Sequence, residues 1–447
     1  MNTFYALSLI RRSLIVRFAP ALVGLGLLSQ CTDQVTSTVR FHRMTPVYTT
    51  TQEIRDAVSV QPPQAIRGTG KIFTHGSYLF LNQPGDGVHI INNADPTNPQ
   101  SISFINIPGN YDLAVQGDIM YADSYIDLLA IDISNPEAIR VLHREENVFP
   151  QFNSFGFYPD AEKGVVTRWE EVDVVQTFEG EIDGSMWEPG VYQYIDHLDI
   201  AEYARYDFVE QSNVPVWEMN NANVTPVGRG GSMSRFAVSG EHLYTIDDSN
   251  LQVFDISSAS TPTSVNEMMV DFMIETIYPH DNKLYIGAQN GMYIYDKTVP
   301  ESPMLLSSYW HATSCDPVVA NDTLAYVTLR TGDACEGDQN VLEVVDVKDA
   351  RAPYETARYE MEHPHGLGLD GTTLFVCEGE FGVKVFDVTH TYEISDYLIS
   401  RIEGIYAYDV IAHDNHLLVI AEDGVYQYDY SDPEHIVQLS KMTRLAL

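Results

Sequence analysis

Short runs of alternating apolar and polar residues, separated by turns rich in Gly, Asp, Asn and Pro, extend along most of the chain. A period of two over about five residues is typical of β-strands. An apolar run that ends in Asp or Asn and leads into a polar turn recurs at seven landmark positions: Asn92, Asp132, Asp255, Asp296, Asp346, Asp387 and Asp429. Most neighbouring landmarks are about 41 residues apart, which indicates a repeated structural unit.

Each landmark has two strand signals before it and a more polar one after it. Four short strands at this spacing make one antiparallel blade, and a blade with two apolar faces must pack against neighbours. Radial closure removes the exposed ends of such an array. The sequence therefore predicts an all-β fold, a β-propeller of about seven four-stranded blades over residues 63–447.

Two details of this propeller can be predicted from local chemistry. We interpret the landmark Asp as a turn residue whose carboxylate accepts backbone N–H groups after the third strand. Residues 63–66 resemble the outer-strand segment 99–102, because both read Pro-Gln, a small residue and Ile. We predict that 63–66 pairs with the last blade and closes the ring.

Residues 151–233 interrupt the repeat pattern between the second and third units. The stretch contains no landmark turn, so we predict one long insertion, with eight or nine blades as the alternative. Long excursions from a rigid scaffold often carry specificity. A partner is therefore expected to contact this insertion.

The N-terminus has the pattern of an export signal over residues 1–30. Arg11, Arg12 and Arg17 precede an apolar run at 18–28 that is too short to cross a bilayer. The run ends at Cys31 in a sequence that resembles the lipobox of bacterial lipoproteins, although Gln30 stands where a small residue is expected. We predict lipidation of Cys31 followed by a tether over 31–62; ordinary secretion or an uncleaved anchor is the alternative.

The charge of the chain excludes one class of partner. It carries 25 Lys and Arg against 63 Asp and Glu, a net charge of −38. Binding nucleic acid requires cations that neutralise phosphates, so no nucleic-acid partner is expected. Contact with a membrane is expected through the N-terminal lipid anchor alone.

Three further cysteines follow Cys31. Cys315 and Cys335 are close in sequence within one unit, and export makes a disulfide between them plausible. Cys377 lies in an alternating apolar run and is interpreted as a small core residue. No cofactor is expected; the alternative is Ca²⁺ at the acidic loop of Asp333, Glu336 and Asp338.

The repeat resembles the LVIVD repeat, in which an apolar strand ends in Asp and an Asn-Pro or Asp-Pro turn follows, as in Asp132-Ile133-Ser134-Asn135-Pro136. The segments around Gly70, Asp95 and Tyr121 are similar to a group of bacterial cell-envelope lipoproteins. The resemblance implies a propeller at the outer membrane or cell surface, with a periplasmic or secreted protein as the alternative. It supplies no reaction and no catalytic residues.

Aligning the units places one residue per blade at the start of the innermost strand, where the central channel opens. Some of the charged residues are at these positions and others come directly before them in the sequence. Together they give a candidate ligand site of mixed charge: Lys71, Asp112, Arg235, Glu275, Asp316, His365 and Asp409. The competing interpretation is that these side chains form ion pairs and hydrogen bonds with one another. His363 and His365 are candidate metal ligands or structural residues, and the metal is unknown.

Motifs of known enzyme classes are not found in the sequence. We therefore favour a binding or interaction scaffold for a protein or glycan. The alternative is an envelope hydrolase or lyase with its site at the channel mouth.

Overall fold

The structure describes the chain in segments separated by gaps. In this computed structural model they are residues 36–136, 138–149, 159–160, 162–179, 193–195, 233–247, 249–311, 317–331, 339–390, 394 and 396–445. The chain divides into a smaller unit, Met1–Val47 with Trp169–Asn213, and a larger unit, Tyr48–Arg168 with Val214–Leu447. All seven repeats lie in the larger unit.

Four strands and one helix precede or interrupt the repeats. They are β1 (Thr36–Thr49), α1 (Thr51–Ala57), β2 (Ser59–Gln61), and, within the predicted insertion, β11 (Val165–Glu179) and β12 (Gln193–Ile195). The strands β11, β1 and β12 form a three-stranded sheet in that order, with Phe41 opposite Ile195. The predicted insertion therefore contains strands that pair with the N-terminal segment.

The repeats form seven blades, each with four strands in chain order. Blade 1 has β3 (Ile72–His75), β4 (Tyr78–Gln83), β5 (Gly87–Asn92) and β6 (Gln100–Asn106). Blade 2 has β7 (Leu113–Gln116), β8 (Ile119–Ser124), β9 (Asp127–Asp132) and β10 (Arg140–Glu145). Blade 3 has β13 (Phe236–Ser239), β14 (His242–Ile246), β15 (Asn250–Asp255) and β16 (Thr263–Met269).

Four blades follow in the C-terminal half. Blade 4 has β17 (Ile274–His280), β18 (Lys283–Ala288), β19 (Gly291–Asp296) and β20 (Met304–Trp310). Blade 5 has β21 (Val318–Ala320), β22 (Leu324–Leu329), β23 (Val341–Asp346) and β24 (Tyr354–Glu360). Blade 6 has β25 (Leu367–Asp370), β26 (Thr373–Cys377), β27 (Val383–Asp387) and β28 (Leu398–Ile402). Blade 7 has β29 (Ala407–His413), β30 (His416–Ala421), β31 (Gly424–Asp429) and β32 (Val437–Thr443).

Apolar clusters between neighbouring blades hold the ring together. Each cluster combines buried side chains of two successive blades, and the cluster of Ile72 and Leu81 with Leu418 and Val425 joins blade 7 to blade 1. A fully buried side chain of this size contributes about 1.5–3 kcal/mol. The predicted fold class, an all-β propeller of about seven four-stranded blades, is therefore confirmed.

The landmark residues have the local role that was predicted for them. In every blade the side-chain oxygen of the landmark accepts the backbone N–H two residues further on, at 2.7–3.0 Å: Asn92 from Ala94, Asp132 from Ser134, Asp255 from Ser257, Asp296 from Thr298, Asp346 from Lys348, Asp387 from Thr389 and Asp429 from Ser431. The Thr298 hydroxyl and backbone together lower the pKa of Asp296. The landmark thus defines the turn after each third strand.

The N-terminal part of the propeller differs from the prediction in two respects. Residues 36–61, which we predicted to be part of a tether, form β1, α1 and β2. Residues 63–66 do not form the strand that was predicted, and blade 7 takes its outer strand, β32, from its own repeat. The contact itself exists, since the Ile66 carbonyl accepts the Leu445 N–H at 2.8 Å.

Candidate ligand site at the channel mouth

The first strand of each blade lies innermost, and from blade 1 to blade 7 it contacts the first strand of the next blade. The seven aligned positions, Lys71, Asp112, Arg235, Thr276, Pro317, Gly366 and Asp409, all lie at the start of these strands. Each pairs with the residue eleven positions further on: the N–H groups of Asn82 and Cys377 bond the Lys71 and Gly366 carbonyls at 2.8 and 2.9 Å. We call this end of the channel the channel mouth.

A cluster of buried charges occupies the mouth between blades 1 and 3. Lys71 forms an ion pair with Asp112, and both side chains are fully buried. The Asp112 carboxylate also accepts the Arg235 N–H at 2.7 Å and the Leu113 N–H at 2.6 Å, so it bridges three blades. These contacts fix the relative positions of the first three inner strands.

Asp123 adds a second buried carboxylate to this cluster. It accepts the N–H groups of Tyr111 and Asp112 at 2.8 and 3.0 Å and the Asn110 amide at 2.7 Å. Burial nevertheless raises the pKa of Asp123 to about 7, and burial lowers the pKa of Lys71. Burial thus opposes the charged forms of Asp123 and of Lys71 alike.

A second cluster, formed by blades 5 to 7, reaches the surface. Its core is a contact between the Arg330 guanidinium and both nitrogens of the His365 ring. The His365 ring centroid lies 4.8 Å from that of His363, 5.8 Å from that of Tyr406 and 5.6 Å from that of Tyr408. Arg330, His363 and both tyrosines are partly exposed, so a ligand in the mouth can reach them.

The electrostatics of this second cluster suit a neutral or anionic group. Burial, with the charge of Arg330, lowers the pKa of His365 to about 2, so the ring stays neutral. The guanidinium beside both histidines repels a metal cation, which favours the structural interpretation of His363 and His365. Gly379 permits this close packing, because a Cβ there would lie 3.0 Å from the His363 Nδ1 and 3.1 Å from the His365 Nε2.

The structure brings together several of the predicted site residues. Lys71 and Asp112 pair directly, and Arg235 and Asp409 act electrostatically on Lys71. His365 belongs to the second cluster, and Glu275 accepts the Gln289 amide at 3.0 Å. Asp316, Cys31, Cys315, Cys335 and the loop of Asp333, Glu336 and Asp338 lie outside the described residues. Cys377 is fully buried, as predicted for a core residue.

Arg330 and Tyr406 were missed by the sequence alignment of inner strands. Arg330 follows the second strand of blade 5, thirteen positions after Pro317. The equivalent positions in blades 4 and 6 are Gln289 and Gly379, which contact Glu275 and approach His365. Aligning the ends of the second strands would have shown that they also line the mouth.

One group of potential metal ligands occurs in the described part of the chain. His280, Asp281 and Asp322 offer ligand atoms within 4.8 Å of one another. The imidazole and the Asp322 carboxylate already bond at 2.8 Å, and both carboxylates are exposed. This surface pair gives no support for a cation site.

The fold and the channel mouth define the protein as a seven-bladed β-propeller. The model of the LVIVD repeat matches residues 110–141 and 230–270, which correspond to blades 2 and 3. The chain thus contains segments that match the LVIVD repeat within a seven-bladed β-propeller, in agreement with the sequence resemblance. Of the curated proteins compared with it, none matches.

Several solved structures resemble this chain at low sequence identity. A protein from Lactobacillus plantarum is 11% identical, with a TM-score of 0.50 over 91% of this chain and 97% of that chain. BamB from Moraxella catarrhalis is 10% identical, with a TM-score of 0.47 over 82% and 85%. Sqt1 from Saccharomyces cerevisiae is 9% identical, with a TM-score of 0.47 over 88% and 99%. These likenesses concern the fold alone.

Among the described residues, none of the helices has the length and apolar character needed to span a bilayer.

Proposed function

We propose that this propeller is an exported binding scaffold that holds a protein or glycan ligand at its channel mouth. The observation that carries the proposal is the second cluster, in which the guanidinium of Arg330, the His363 ring and two tyrosine rings meet at a partly exposed surface. Guanidinium groups bind carboxylates in a bidentate manner, and aromatic rings pack against sugar or peptide groups.

The charge distribution supports a ligand with an anionic group. The chain has few cations, 25 Lys and Arg against 63 Asp and Glu. At this mouth Lys71 is buried against Asp112, whereas Arg330 is partly exposed beside His365. A partly exposed guanidinium in an acidic protein attracts an anion locally while the remaining surface repels it. A carboxylated glycan or a peptide carboxylate fits this pattern.

Binding is favoured over the hydrolase or lyase alternative by the burial of Asp112 and Asp409, the two carboxylates at the aligned inner-strand positions. Asp112 and Asp409 have no exposed surface, and Asp112 is engaged by Lys71 and by backbone N–H groups. A general acid or base must come within hydrogen-bonding distance of the substrate. The exposed groups of the mouth instead bind and orient a ligand.

The test is a binding measurement on the mature chain with a panel of carboxylated and neutral oligosaccharides and peptides. We expect a carboxylated member to bind, and Arg330→Gln and His363→Gln each to weaken binding at least about tenfold, since a charge-assisted hydrogen bond contributes about 1.5–3 kcal/mol. Lys441→Gln removes a partly exposed cation from blade 7 and serves as the control. Equal affinity in all four proteins would contradict the proposal.

We propose further that Cys31 is acylated and anchors the mature chain to the cell envelope, at the outer membrane or cell surface. The apolar run at 18–28 and its end at Cys31 support this. Mass spectrometry of the mature N-terminus is expected to find a lipid-modified Cys31, and Cys31→Ser is expected to release the protein from the membrane fraction. An unmodified N-terminus at another residue would exclude the anchor.

A further inference from the structure

The outer strand of each blade exposes an edge that could pair with another strand. Proteins commonly protect such edges with charged side chains. Five outer strands follow this rule, each with at least one Lys, Arg, Asp or Glu: β10, β16, β24, β28 and β32. The outer strands β6 and β20, with sequences QSISFIN and MLLSSYW, have no charged residue.

The chain itself covers one of these two uncharged edges. β2 pairs antiparallel with β6, with Ser59 opposite Asn106 and Gln61 opposite Phe104. Blade 1 is therefore a five-stranded sheet. In blade 1, therefore, the uncharged outer strand accompanies an added fifth strand.

β20 presents the same pairing positions as β6. Trp310 lies opposite Gly291 in blade 4, as Asn106 lies opposite Gly87 in blade 1. The His311 N–H points inward to the Asn290 carbonyl at 3.4 Å, as the Ile107 N–H points to Asp86 at 2.9 Å. Because inward and outward groups alternate along a strand, the N–H groups of Ser308 and Trp310 face the open edge. In the described part of the chain, no strand pairs with this edge.

Exposed apolar side chains surround this edge. Trp310 is 61% exposed, Met304 55% and Leu305 49%. A groove of about 650 Å³ between β16 and β20 is lined by Met268, Met269, Val299, Met304 and Leu305 among others. Flexible Met side chains can adapt to apolar partners of different shape.

The charges beside this surface indicate the chemistry of its partner. Glu267 and Glu301 are exposed at its margin, and the Asn266 amide bonds the Glu301 carbonyl at 2.9 Å, which joins the two blades there. A second copy of this chain would bring the same acidic groups together. An extended segment with apolar and cationic side chains would be complementary.

We propose that the open edge of β20 binds an extended strand from a partner protein, with apolar side chains in the groove of Met304 and Leu305 and flanking Lys or Arg residues beside Glu267 and Glu301. The added strand pairs at Ser308 and Trp310, as β2 pairs with β6. This interaction surface is separate from the channel mouth and goes beyond ligand binding there.

The probe is a synthetic peptide of alternating Val and Lys, with its Val and Glu counterpart for comparison. We expect the cationic peptide to bind the mature chain at physiological salt and the acidic peptide to bind at least tenfold more weakly. Trp310→Lys, which charges the edge, and Ser308→Pro, which removes one outward N–H, are each expected to weaken binding of the cationic peptide at least tenfold. Both changes are at the strand edge, where the fold should tolerate them.

Val437→Lys on β32 is the matched control, because Val437 is 58% exposed on the outer strand of blade 7 and the change adds the same charge. It is expected to leave binding within about twofold of the unchanged protein. Binding that survives Trp310→Lys and Ser308→Pro, equal binding of both peptides, or no binding would overturn the proposal. Sedimentation showing a dimer that Trp310→Lys dissociates would also overturn it, since the occupant would then be a second copy.

Discussion

Lys71→Met is expected to lower the free energy of unfolding by about 3–5 kcal/mol, because it leaves buried carboxylates without their cation. Lys71 has no exposed surface and pairs with Asp112, which also has none. The Asp123 and Asp409 carboxylates also act electrostatically on Lys71. Equilibrium urea denaturation followed by circular dichroism measures the change.

The matched control for Lys71 is Lys441→Met. Lys441 pairs with Asp423 at 2.5 Å, but their side chains are 29% and 56% exposed. An exposed pair contributes about 0–1 kcal/mol, so this variant should remain close to the unchanged protein. A Lys71→Met variant that loses no more stability than Lys441→Met would show that the buried cluster does not hold the blades together.

A double variant separates the cost of an uncompensated charge from the cost of lost packing. Asp112→Asn in the Lys71→Met background removes one buried carboxylate, while its side-chain oxygen can still accept a backbone N–H such as that of Arg235. We expect the double variant to be more stable than Lys71→Met alone, since interacting sites are not additive. Further destabilisation on adding Asp112→Asn would indicate that packing dominates.

The repeat was predictable from sequence because its signals are local. Each landmark Asp bonds a backbone N–H two residues away, so the turn chemistry is contained in three consecutive residues. The aligned positions at the inner strands were also predictable, since each faces its partner eleven residues later within one hairpin. Because the repeat units are regularly spaced, a correct assignment of the strands in one unit also gives the strands of the other six.

The second cluster was only partly predictable, because its members come from three blades. Arg330 contacts His365 across 35 residues of sequence, and Tyr406 approaches His365 across 41. Such contacts depend on how neighbouring blades pack, which the repeat pattern does not specify in atomic detail. The sequence identified His365 as a candidate but could not assign Arg330 as its partner.

The N-terminal segment shows a local signal that was overlooked and a distant one that could not be found. Thr50 and Glu53 form a capping box, with Thr50 accepting the Glu53 N–H and the Glu53 carboxylate accepting the Thr50 N–H. That pattern is readable in the sequence and marks the start of α1. In contrast, β1 pairs with β12 more than 140 residues later, and no local pattern encodes that register.

A recurrent glycine at the start of the third strand sets how closely the outer strand approaches. In blades 1, 4, 6 and 7 this residue is Gly87, Gly291, Gly382 and Gly424, and in each a Cβ would lie closer than 3.0 Å to a carbonyl oxygen of the outer strand. The other blades have Asp127, Asn250 and Val341 at the start of this strand. In four blades, therefore, the backbone contact leaves no space for a side chain.

Gly424→Ala is accordingly expected to lower the free energy of unfolding by about 3 kcal/mol or more. The added methyl group would collide with the Met442 carbonyl, and the φ of +145° lies in a region that other residues avoid. Urea denaturation followed by circular dichroism measures the loss. Because Val425 on β31 and Met442 on β32 pack against side chains of the first blade, displacement of the outer strand should weaken the closure of the ring.

Gly371→Ala separates steric collision from backbone strain. Gly371 also has a positive φ, +58°, but a Cβ there would meet nothing within 4 Å. Its substitution should therefore cost about 1 kcal/mol, from backbone strain alone. If Gly424→Ala costs no more than Gly371→Ala, the outer strand of blade 7 can move aside at little cost, and the closure of the ring does not depend on that contact. A loss several times larger would instead show that the ring is closed by backbone packing at the edge of its last blade, in addition to the apolar cluster that joins blade 7 to blade 1.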